Sequence, residues 1–137
     1  MKKLGRTCLV LDVDGVLRDL AWRKGLDEFM RWVWGVFDLV VLLTSHREFI
    51  YESWPGTIKE SWPCPPSLAW QDSKTEPLPG LLRQGFRLFW AEDGVTQSEQ
   101  QWCRRHDDLV HYVECRGASD LDVVRERILR AMAEARK

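Results

Sequence analysis

Thr7-Cys8-Leu9-Val10-Leu11-Asp12-Val13-Asp14-Gly15 decides the fold. An apolar run this dense, without polar alternation, fits a parallel strand buried on both faces. It stops at Asp-Val-Asp-Gly, a turn signal. Asp38-Leu39-Val40-Val41-Leu42-Leu43-Thr44 has the same character. Between the two runs, Leu26, Phe29, Met30, Val33 and Trp34 recur at helical spacing. The order is strand, helix, strand.

Further strands are expected near residues 67–70, 86–91 and 109–113, and helices around 77–84, 96–105 and 120–136. In the last helix Leu121, Val124, Ile128, Met132 and Ala135 form one stripe. Ser119 with Asp122 resembles a capping box at its start. This alternation predicts an α/β three-layer sandwich of Rossmann type, with about five parallel strands and helices on both faces. The 137 residues suit one domain, 1–137, with a continuous core.

Composition narrows the class. Hydrophobic residues make up 45% and charged residues 30%, as in globular and not disordered chains. A net charge of −1 excludes a surface that binds polyanions all over, although the 20 Lys and Arg leave room for a local basic pocket. The four cysteines lack C-x-x-C or zinc-finger spacing. Cys8 and Cys115 read as small buried hydrophobes, which suggests a reducing compartment. No run is long enough to span a bilayer, and the N-terminus has no signal-peptide pattern. The expectation is a cytoplasmic protein without a membrane partner.

Residues 51–66 differ from the rest. They hold four prolines, and Glu-Ser-Trp-Pro occurs at 52–55 and again at 60–63. Prolines limit regular structure. The segment reads as an irregular loop with exposed Trp rings, a surface for a homo-oligomeric contact or equally a plain surface loop.

Polar groups collect where the strands end, which is where open parallel sheets bind ligands. Asp12 and Asp14 follow the first strand. Thr44, Ser45, His46 and Arg47 follow the second, Lys74 the third, and Glu92 and Asp93 the fourth. A lone Asp-x-Asp-Gly is also a plain turn or part of a calcium loop. The preceding strand and the lack of a downstream Glu argue against calcium. Taken singly, Thr44 fits a strand-end cap, Lys74 a solvated side chain, and His46 and Arg47 an exposed helix start.

In combination and in this order, the residues resemble the haloacid dehalogenase superfamily. Asp12-Val13-Asp14-Gly15-Val16-Leu17 is similar to its first motif, Thr44 to the second, Lys74 to the third and Glu92-Asp93 to the fourth. Lys59 lies in the same window as Lys74 and competes for the third motif. The resemblance implies a magnesium-dependent phosphatase, a hydrolase of phosphomonoesters. Asp12 would be the nucleophile forming an aspartyl phosphate, and Asp14 the acid and base. Thr44 and Lys74 would hold the transferring oxygens. The Mg²⁺ ligands would be Asp12, Asp14 through its backbone carbonyl, and Asp93, with Glu92 in direct or water-mediated support. Gly15, Ser45, His46 and Arg47 would line the phosphate site.

No interval is long enough for a cap domain, so the resemblance is to capless members. Among these are the phosphatase domains of polynucleotide kinase-phosphatases and RNA-repair proteins. It implies a phosphorylated substrate, a nucleotide or nucleic-acid end, with Trp102, Arg104 and Arg105 as candidate contacts. Equally, Trp102 reads as a helix-to-sheet packing residue and the arginines as a solvated face. The alternatives are a phosphoprotein phosphatase on the same scaffold, or a catalytically weak binding module.

Overall fold

A computed structural model describes residues 4–19, 21–45, 47–56 and 62–137, without the side chains of residues 47 and 48. Five strands, β1 (Thr7–Asp12), β2 (Leu39–Leu43), β3 (Ser67–Leu68), β4 (Arg87–Glu92) and β5 (Val110–Glu114), form one sheet in the order β3-β2-β1-β4-β5. Every pairing is parallel. The helices are α1 (Leu26–Val36), α2 (Arg47–Ser53), α3 (Leu78–Arg83), α4 (Gln97–Arg105) and α5 (Leu121–Ala135).

β1 lies at the centre because it alone pairs on both sides with long apolar strands, and all six of its residues are buried. Alternate side chains enter different cores, as the two-residue period requires. Leu9 and Leu11 pack with Phe29, Met30 and Val33 of α1 and with Val124 and Ile128 of α5. Cys8 and Val10 pack with Leu78 and Leu81 of α3 and with Cys103 of α4. The result is the expected three-layer, Rossmann-like α/β arrangement. Among the described residues no helix is long and apolar enough to cross a membrane.

Three expectations change. First, α2 runs to Ser53, into the stretch read as irregular. The Trp rings there face inward: Trp54 is buried and its indole N–H donates to the Trp62 carbonyl at 2.9 Å. Trp62 packs against the same core, and Trp22 meets Trp54 edge to face. An indole satisfies its donor while burying a large ring, so burial wins over display, and Trp54 offers nothing to an oligomeric partner. Second, the last helix is capped one residue later than expected. Asp120, not Ser119, is the N-cap, its carboxylate accepting from the Val123 N–H at 3.0 Å. Third, β3 is only two residues long and lies at the sheet edge. Pro65 and Pro66 precede it and cannot donate to a ladder.

The connections place the site. From β1 the chain moves outward to β2 and β3, then returns to the other side of β1 for β4 and β5. The strand order therefore reverses between β1 and β4, and a crevice opens beyond their carboxyl ends. Leu11 pairs with Ala91, so the next residues, Asp12 and Glu92, stand level across that switch point.

Candidate metal and phosphate site

Asp12 closes β1 and is 9% exposed; Glu92 closes β4 and is 0% exposed. Asp93 follows and is half-buried. The three carboxylates offer oxygens that all lie within 4.8 Å of one another. Lys74 joins them from the loop after β3, its ammonium 2.8 Å from Glu92 Oε1 and 3.3 Å from the Gly94 carbonyl. Lys59 and His46 lie outside the described residues, so of the two lysines only Lys74 is seen at the cluster.

The turn after β1 is tightly built. The Val13 carbonyl accepts from the N–H groups of Leu17 and Arg18, both at 2.9 Å, while Val13, Val16 and Leu17 are buried beneath it. Gly15 has φ +83°, a left-handed conformation that side chains disfavour. A Cβ there would also collide with the Asp93 carboxylate, 2.6 Å from its Cγ. Gly15 thus leaves the room at the β1 turn that the Asp93 carboxylate occupies.

Charge explains how a cation would suit the cluster. Burial first, and the adjoining Glu92 carboxyl second, push Asp12 up to about 9; Lys74 pulls the other way. Glu92 is also raised, chiefly by burial, although Asp12 and Lys74 favour its ionised form. The pair therefore favours holding one shared proton over ionising both carboxyls. Lys74 is raised overall, because Glu92, Asp12 and Asp93 outweigh the effect of its own burial. Two touching carboxylates do not both ionise without added positive charge. Two buried carboxyls side by side share one ammonium and are short of positive charge, and an all-oxygen donor set suits a hard divalent cation such as Mg²⁺. The residues fit such an ion.

The remaining predicted residues are placed as follows. Asp14 is exposed, and its carboxylate is not in the group of three. Thr44 is buried one step beyond Leu43, the β2 partner of Asp12. Ser45 is exposed beside it, and Arg47 begins α2. Trp102 packs against the α3–α4 core with its ring 4.4 Å from His106, while Arg104 and Arg105 are exposed on the solvated side. Trp102 thus takes its packing reading.

One functional neighbour was missed. Glu99 of α4 is buried, and its carboxylate accepts from the Lys74 backbone N–H at 2.7 Å, the Ser73 hydroxyl at 3.2 Å and the Thr96 N–H at 2.8 Å. Burial raises its pKa, but these donors outweigh burial and hold it below the usual range, so it is ionised. The signal was present as Thr96-x-x-Glu99, a capping-box pattern. The box forms in full.

Comparison of the chain with protein-family models, with curated proteins and with solved structures finds no match.

Proposed function

We propose that the protein is a magnesium-dependent phosphatase that works through an aspartyl phosphate on Asp12. The observation that carries this reading is the meeting of Asp12, Glu92 and Asp93 with the Lys74 ammonium at the switch point of the sheet.

Asp12 attacks phosphorus, and the bond to the leaving oxygen breaks as Asp14 protonates it. The exposure of Asp14 suits a group that must meet a leaving alcohol and then a water. Asp14 next takes a proton from that water, which attacks the phosphoryl group and returns Asp12 to a carboxylate. Lys74 and the Thr44 hydroxyl stabilise charge on the transferring oxygens. Mg²⁺ held by Asp12, Asp93 and Glu92 would supply the positive charge that keeps Asp12 ionised, as a nucleophile must be.

The substrate class proposed is a phosphomonoester with a large leaving group, a nucleotide or nucleic-acid end. Only residues 13–25 join β1 to α1, and only residues 44–66 join β2 to β3. Neither interval is long enough for a folded lid domain, and an open rim admits a bulky substrate.

The experiment is hydrolysis of nucleoside monophosphates, phosphorylated oligonucleotides and phosphopeptides with and without Mg²⁺, by the parent and by Asp12→Asn. Mg²⁺-dependent release of phosphate by the parent, lost in the variant, is expected. Equal activity in the two proteins removes Asp12 from the mechanism. Preference for the phosphopeptide replaces the substrate class.

A further inference from the structure

Lys74 belongs to no helix and no strand; residues 69–77 are a loop. An ammonium carried on a loop is placed only as well as the backbone beneath it, and a displacement of about 1 Å in a catalytic group costs on the order of a hundredfold in rate. Two braces hold this loop. Glu76 accepts from the N–H groups of Gln71 and Asp72, at 2.7 and 3.3 Å, on the surface. Glu99 is the buried brace and comes from another element. One carboxylate oxygen takes the Lys74 N–H and the Ser73 hydroxyl; the other takes the Thr96 N–H at the start of α4.

We propose that Glu99 is a positioning residue, clamping the Ser73 and Lys74 backbone to α4 so that the Lys74 ammonium stands over the Asp12, Glu92 and Asp93 carboxylates. The clamp itself rests on the hydrogen bonds, and its effect on turnover rests on the phosphatase reading. α4 is a rigid base, since Cys103 is buried in the core between helix and sheet. The carboxylate joins that base to the loop at the lysine itself. A helix cap alone needs only the Thr96 side of this arrangement; the bonds to Ser73 and Lys74 lie outside it.

The test compares Glu99→Gln with Thr96→Ala in the full chain. Thr96→Ala removes the hydroxyl that accepts the Glu99 N–H at 3.2 Å and leaves the Glu99 carboxylate in place. Glu99→Gln sets an NH₂ group against either the Thr96 N–H or the Lys74 N–H and Ser73 hydroxyl, and removes the charge that strengthens all three bonds. Hydrogen exchange at the Lys74 amide is read first, and needs no activity. Exchange is expected to speed about tenfold or more in Glu99→Gln and to stay near the parent rate in Thr96→Ala. Hydrolysis of p-nitrophenyl phosphate with Mg²⁺ is read second. In Glu99→Gln kcat is expected to fall about tenfold with KM little changed, and in a Lys74→Met background the same substitution is expected to add little. Equal exchange at Lys74 in both variants, or a kcat loss undiminished in the Lys74→Met background, overturns the proposal. If the parent hydrolyses nothing, the phosphatase reading fails and the exchange result alone decides the clamp.

Discussion

Asp12→Asn is predicted to stabilise the metal-free protein while making it blind to Mg²⁺. Asp12 ionises near 3.8 in an unfolded chain but is pushed up to about 9 on folding, by burial first and by Glu92 second. Between those values the folded state holds the extra proton, so stability falls as pH rises through the window and is regained as pH drops toward 3.8. At about 1.4 kcal/mol for each pH unit, the penalty at pH 7 is on the order of 4 kcal/mol, an upper figure because partial relaxation lowers it. Asparagine keeps the shape, cannot ionise, and offers Glu92 an amide N–H in place of the shared proton. The expected gain is about 1–4 kcal/mol in chelator at pH 7. Mg²⁺ at a hundred times its Kd would stabilise the parent by about 2.7 kcal/mol and the variant by much less. The assay is urea unfolding of both proteins from pH 4 to 9, with chelator or with Mg²⁺. A variant less stable than the parent in chelator, or one stabilised equally by Mg²⁺, refutes the charge argument.

Gly15→Ala is expected to cost about 1 kcal/mol or more from the positive φ alone and to displace the Asp93 carboxylate. Its signature is a Mg²⁺-induced shift in melting temperature smaller than the parent's. Trp54→Ala removes a buried indole and its bond to the Trp62 carbonyl. Its cost is about 3–5 kcal/mol, read by chemical unfolding, whereas an exposed ring would cost under about 0.5 kcal/mol.

Hydrophobic runs and their spacing made β1, β2, α1 and α5 legible, because a buried parallel strand and an amphipathic helix each impose a local period. Placing Asp12, Asp14, Glu92 and Asp93 at strand ends followed from the same pattern. The errors came where local and tertiary demands compete. Proline content argued for a loop with displayed tryptophans, yet α2 forms and Trp54 fills a gap in the core beside Trp22. Ser119 and Asp120 are both good cap residues, and in the folded chain it is Asp120 that takes extended backbone and accepts the Val123 N–H.

The order of residues thus determined the parallel α/β class and the carboxyl-tipped strands, since both are written in short-range periodicity. The tertiary structure decided what sequence distance conceals. Strand order sets Asp12 level with Glu92 across 80 residues of chain. The loop after β3 brings Lys74 to Glu92, and α4 supplies Glu99 beneath it. Such meetings depend on which strands pair and which helix packs where. That is fixed by burial summed over the whole chain, which no single stretch of sequence records.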